Sequence, residues 1–149
     1  MNIINEMTLT FKAISENEGF ARSAVAAFCV QINPTLDEIT DIKTAVSEAV
    51  TNSVVHAYPK EAGNINVNVK LTLDSVIISV SDNGIGITDF EQARQPFFTT
   101  KPEQERSGMG FTVMESFMDK VYMIKNRGKG VTILMEKKFG GSEKKVIGG

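Results

Sequence analysis

The sequence predicts an α+β fold: a two-layer sandwich with a mostly antiparallel sheet and helices on one face. Three observations predict it. Period-two alternation runs through "NINVNVKLTL" and resumes in "VIISVSD" after the turn at Asp74-Ser75. A second pair of apolar runs, "KVYMIKN" and "GVTILMEKK", is joined by "RGKG". Strands joined by tight turns are antiparallel, and clean alternation means that one face is covered and the other wet. Helical periodicity fills the stretch from residue 15 to 56 and returns after the glycines at 108 and 110, so the covering layer is helical.

Taken in order, "EMTLTFKAI" puts Met7, Leu9 and Phe11 on one side of a short strand and Thr8, Thr10 and Lys12 on the other. In "SENEGFARSAVAAFCVQI", Ser15 with Glu18 three residues on reads as a capping box, and Phe20, Ala24, Ala27 and Phe28 as the apolar stripe of a first helix. Glu16, Glu18 and Arg22 of that helix are expected to be exposed, as part of a partner surface or as solvated charge. "NPT" ends it, and a second helix starts near Thr35, with Asp37 and Glu38 suiting its first turn, and runs to about His56. Residues 65, 67, 69 and 71 then share one strand face. An irregular stretch from about 83 to 107 precedes a third helix carrying "FTVMESFM" and the closing strand pair.

The 149 residues suit one domain, here 1–139, with 140–149 as a flexible tail. Formal net charge is -2, which speaks against direct nucleic-acid contact. No apolar run approaches the roughly 18 residues of a membrane span, and "MNIINEMTLTF" does not read as a secretory signal. A single cysteine, Cys29, excludes an internal disulfide and lies in an apolar helix stretch where it is a small hydrophobe. The expected location is the cytoplasm. His56, the only histidine, is too isolated for a zinc site.

Three stretches carry chemistry. In "EAVTNSVVHAY", Glu48, Asn52 and His56 recur every fourth residue. With about 100° per residue and Glu48 at zero, Asn52 falls near 40° and His56 near 80°, while Ile42, Val46, Ala49 and Ser53 fall between roughly 100° and 160°. The polar column therefore borders the core stripe, a position either for a surface hydrogen-bonded pair or for the rim of a cavity. In "SVSDNGIGI", Asp82 ends a strand and Gly84 and Gly86 follow. Asn83-Gly84 is a common hairpin signal, but the segment beyond it, "TDFEQARQPFFTTKPE", does not alternate. The other reading is close backbone approach to a flat or anionic ligand, with the carboxylate accepting from an exocyclic amine such as adenine's. In "TTKPEQERSGMGFTVM", Thr99, Thr100, Lys101 and Arg106 precede Gly108-Met109-Gly110 at a helix start. This is either a surface loop or a phosphate cradle. Neither glycine pair forms a P-loop or a dinucleotide fingerprint.

In this order and at this spacing, "EAVTN", "DNGIG" and "GMGF" resemble the N box and two glycine boxes of the GHKL (Bergerat) ATP-binding family, which includes gyrase B, MutL and histidine-kinase catalytic domains. The resemblance covers nearly the whole chain. "VSEAVTNSVVHAY" and "ARQPFFTTKPEQERSGMGF" are most similar to the family's anti-sigma serine/threonine protein kinases, the sporulation anti-sigma F branch first and the stress-response anti-sigma B kinases as the alternative.

The resemblance implies ATP or ADP and Mg²⁺ as ligands. It implies Asn52 as the metal ligand, Asp82 as acceptor of the adenine amine, and Gly84, Gly86 and Ile87 against base and phosphates. Thr99, Lys101, Arg106 and Ser107 would belong to a lid, and Gly108, Met109, Gly110 and Phe111 would donate amides to the triphosphate. Thr132, facing opposite to Val131 and Ile133, would lie near the adenine, and Glu48 would be the general base. The implied partners are a sigma factor, an anti-anti-sigma factor phosphorylated on serine, and a second copy of the chain; no membrane or direct nucleic-acid contact is implied. The other function class is a binding module that uses nucleotide as a switch without turnover.

Overall fold

A computed structural model of the chain describes residues 2–57, 63–84, 109–126 and 129–140, with the backbone alone at 56, 57 and 109. The order of elements is β1 (Asn5–Lys12), α1 (Glu16–Cys29), a 3-10 turn (Val30–Ile32), α2 (Leu36–Asn52), a π-helical turn (Ser53–Ala57), β2 (Asn64–Leu71), β3 (Ser75–Asp82), α3 (Met109–Phe117), β4 (Lys120–Lys125) and β5 (Val131–Lys138). The strands form one five-stranded sheet in the order β1-β2-β3-β5-β4. Every neighbouring pair is antiparallel.

Alternation decides which face is covered. Ile65, Val67, Val69 and Leu71 of β2, Val76, Ile78 and Val80 of β3, and Val131, Ile133 and Met135 of β5 are buried. They form one core cluster with residues of α1, α2 and α3. Each such side chain contributes about 1.5–3 kcal/mol when fully buried. A one-residue slip of β5 would turn three of them to solvent, so the pairing Ser81↔Thr132 and Val80↔Ile133 is strongly specified. The predicted fold class is thus observed. What the alternation did not reveal is that β5 inserts between β3 and β4.

Two expectations for α1 need correction. Ser15 does not cap it: this residue has helical dihedrals (φ -60, ψ -29) and makes no side-chain cap bond. Glu18 is drawn instead to the Arg22 guanidinium and to the Ser47 hydroxyl of α2, which donates to it at 3.0 Å. The capping box sits at α2, where Glu38 N–H donates to Thr35 Oγ1 at 3.1 Å and Thr35 N–H to Glu38 Oε1 at 2.8 Å. The buried stripe of α1 is Ala21, Val25, Ala26 and Cys29, whereas Phe20 is 55% exposed and lies edge-on to Phe11. Small side chains at 21, 25 and 29 let α1 lie close on its neighbours. A phenylalanine in that stripe would hold the helix off, so the larger rings take its flanks.

Burial pushes the Cys29 thiol up to about 12, consistent with a small buried hydrophobe. At the far end, residues 141–149 of the expected tail lie outside the described residues. Phe139 and Gly140 are buried, and the Gly140 N–H donates to Glu38 Oε2 at 2.7 Å.

Candidate nucleotide site

Helix α2 carries the polar column beside the core, as its periodicity requires. Ile42, Val46 and Ala49 are fully buried, while Glu48 and Asn52 are half-buried. The regular helix stops at Asn52. From Ser53 to Ala57 the turn widens to π geometry, and the Ser53 N–H is shared between the carbonyls of Ala49 and Val50. Such widened turns alter the direction in which following side chains project; the His56 side chain lies outside the described residues.

Strand β3 delivers Asp82. Its side chain is on the covered face, one position beyond Val80 in the alternation, and the residue is 4% exposed. Oδ1 accepts from the Gly84 N–H at 3.1 Å and the Val131 N–H at 3.3 Å, and Oδ2 accepts from the Ser53 hydroxyl at 3.0 Å. Burial raises its pKa above the ordinary aspartate value, and the three donors, Gly84, Ser53 and Val131, oppose that rise. Among the described residues no cation pairs with it. A carboxylate offers about four acceptor positions. Two are used on Oδ1 and one on Oδ2, so Oδ2 retains an acceptor position that no donor fills among the described residues.

The β4–β5 connection holds the Asp82 backbone in place. Gly130 has φ +90, and a Cβ there would lie 1.9 Å from the Asp82 carbonyl oxygen. The same oxygen accepts from Asn126 Nδ2 at 2.9 Å. The Thr132 hydroxyl donates to Asn126 Oδ1 at 2.7 Å and lies 2.9 Å from Ser81 Oγ. Thr132 is therefore on the sheet face opposite to the Asp82 carboxylate. Adjacent strand residues point to opposite faces, and it is the Val131 N–H that reaches Asp82. The Thr132 side chain, expected near the adenine, thus stands on the face away from the Asp82 carboxylate.

Helix α3 is described from Met109 to Phe117. A Cβ at Gly110 would stand 3.0 Å from Glu48 Oε2, so the Glu48 carboxylate lies against the first turn of α3. Phe111 places its side chain in the core, 4% exposed, which anchors that turn. The structure thus brings together Glu48, Gly110, and, through Ser53 beside Asn52, Asp82 and Gly84. Gly86, Ile87, Thr99, Lys101, Arg106, Ser107 and Gly108 lie outside the described residues.

The donor set fits a magnesium nucleotide. Asn52 supplies a hard amide oxygen that has no hydrogen-bond partner among the described residues, and Asp82 is an acceptor facing the covered layer. Sequence reasoning missed Ser53, Asn126, Gly130 and Val131. Ser53 had a signal: its angle puts a hydroxyl among the apolar stripe, and such a buried group needs a partner. The others act through backbone geometry that a side-chain reading does not reach.

Residues 11–137 match the family described as the histidine kinase-like ATPase domain. The chain is 54% identical over 136 residues to the anti-sigma F factor of Clostridium perfringens (strain SM101), an alignment that covers 91% of this chain and 97% of that protein. It is 54% identical over 134 residues to the anti-sigma F factor of Bacillus velezensis, covering 89% and 92%. Among solved structures, the RsbU and RsbW domains of a Mycobacterium tuberculosis protein align with TM-score 0.65 and 19% identity over 91% of this chain and 32% of that one. The catalytic domain of the histidine kinase ThkA aligns with TM-score 0.53 and 18% identity over 89% and 97%. These two show the shared fold. The chain belongs to the histidine kinase-like ATPase domain family and, within it, to the anti-sigma F factors.

Proposed function

We propose that the protein is an anti-sigma factor that binds and inhibits a sporulation sigma factor, sigma F, and that it is also an ATP- and Mg²⁺-dependent serine kinase that phosphorylates and inactivates its anti-anti-sigma factor. The observation that carries the nucleotide reading is Asp82, a buried carboxylate held by three donors with an acceptor left over. The close identity to anti-sigma F factors supports the choice of partners.

Asp82 Oδ2 accepts from the adenine amine, and the glycines after it allow the backbone to approach. Asn52 is the magnesium ligand; the ion, when bound, neutralises charge on the phosphate oxygens. The N–H groups at the start of α3, from Met109 to Phe111, point at the phosphates. Glu48 receives the proton of the substrate serine hydroxyl. That oxygen forms its bond to the γ-phosphorus as the bond to the β–γ bridging oxygen breaks, and ADP leaves. General base catalysis of this kind is worth about 10²–10⁴-fold.

The protein acts as a cytoplasmic homodimer in this reading. Nucleotide state selects between partners through the differential affinity of its two forms. A switch module without turnover is the competing reading, and the presence of Glu48 beside α3 favours the kinase. Incubating the chain with labelled ATP, Mg²⁺ and the anti-anti-sigma protein separates them: a stable phosphoserine on the partner is expected. Nucleotide binding with no label transferred would leave only the switch.

A further inference from the structure

Ser53 differs from three other helical hydroxyls. Thr40, Thr44 and Ser116 each donate back to a carbonyl four residues earlier in their own helix, the usual partner of a helical hydroxyl. Ser53, 2% exposed, instead donates across the layer to Asp82 Oδ2 at 3.0 Å. Its single proton is thereby committed, and the lone pairs that remain on Oγ can only accept. Oδ1 of Asp82 is filled by two backbone N–H groups. What the site offers a base edge at this corner is the remaining lone pair of Oδ2 beside the lone pairs of Ser53 Oγ.

We propose that Ser53 is a specificity-determining residue of the nucleotide site, making with Asp82 an acceptor-only pair that takes the exocyclic amine of adenine and refuses the carbonyl oxygen guanine presents at the same place. The inference rests on Asp82 as the base acceptor. A carbonyl set against this pair meets no proton, and a buried acceptor left unpaired is costly. Sites built to hydrogen-bond one group discriminate strongly against an analogue lacking it.

Removing the hydroxyl loosens the rule in a definite way. Asp82 loses one of the three donors that favour its ionised form. It then takes up a proton more readily, and a protonated carboxyl is a donor that can meet a carbonyl. Ser53 also follows Asn52 directly, so the junction of α2 and the π-helical turn positions both the proposed metal ligand and the partner of Asp82.

The test is the affinity of the full chain for ATP and for GTP, with Mg²⁺, measured by calorimetry on the unsubstituted protein, S53A, S53T and D82N. S53A should bind ATP about tenfold more weakly and lose a similar factor of its preference over GTP, while S53T, which keeps the hydroxyl, restores both. If S53A does not fold, S53C takes its place: its thiol is a weak donor of similar size, and the same losses are expected. D82N losing ATP while S53A or S53C retains both affinity and preference would overturn the Ser53 assignment alone. Equal weakening toward ATP and GTP would overturn it too, because that is the signature of packing. D82N binding ATP normally would remove the Asp82 reading and this inference with it.

Discussion

Strand β3 has an aspartate at each end. Asp74 lies in the turn before it and Asp82 is its last residue. Asp74 has a side chain 57% exposed, accepts from the Thr72 hydroxyl at 3.3 Å, and stands 3.8 Å from Lys138 Nζ. Asp82 is buried, has no cation beside it among the described residues, and is held by neutral donors alone. The two acids flank one strand and differ in their surroundings. A carboxylate at a solvated turn needs no explanation beyond the turn. A buried one with no counter-ion among the described residues works against stability, and the proposed base contact would give it a role. Glu48 is intermediate in burial, half-buried against the first described turn of α3.

Substitutions can break this contrast. The largest effect should come from Glu48→Ala: phosphoryl transfer falls by about 10²–10⁴-fold while ATP affinity, by calorimetry, stays nearly unchanged. Transfer near the original rate would remove Glu48 as the base.

Next comes Gly130→Ala. With φ at +90 and a Cβ 1.9 Å from the Asp82 carbonyl oxygen, it should cost about 3 kcal/mol or more in chemical denaturation. A much smaller loss would mean that the β4–β5 connection does not hold Asp82 in place.

Asp82→Asn should weaken ATP binding by about 10- to 100-fold, yet raise the melting temperature. The sign follows from the direction of its pKa. A carboxyl whose folded value is raised binds its proton more readily folded than unfolded. Its ionised form therefore costs stability above that value, and the cost fades as pH falls toward the ordinary aspartate value of about 3.9. Over the same window ATP affinity should decline, because the adenine amine needs the ionised acceptor. A lower melting temperature for Asp82→Asn, or affinity indifferent to pH there, would make Asp82 a structural residue.

The smallest effect belongs to Asp74→Asn. It should shift stability by no more than about 0.5 kcal/mol, as for an exposed ion pair, and leave ATP binding alone.

The sequence disclosed the elements because alternation and helical period are imposed by burial, which acts locally. It disclosed Glu48 and Asn52 as a column beside the core for the same reason. Asp82 was visible as an acid where an apolar alternation ends. It did not disclose that β5 lies between β3 and β4, since pairing partners depend on packing of the whole sheet. That topology is what brings the Val131 N–H and Gly130 to Asp82 and turns Thr132 away from it. The misplaced cap at Ser15 has a similar cause: Glu18 found better partners in Arg22 and Ser47, on elements that a local motif does not consult.

The inserted position of β5 has a consequence for synthesis. A ribosome delivers β1, α1, α2, β2 and β3 well before residues 131–138 emerge, and until then β3 has an unpaired edge and Asp82 lacks the amide of Val131. A nascent chain therefore lacks one of the three donors to Asp82, however much of its helical layer has already folded, and under the proposed function nucleotide would be captured only once nearly the whole domain has been made.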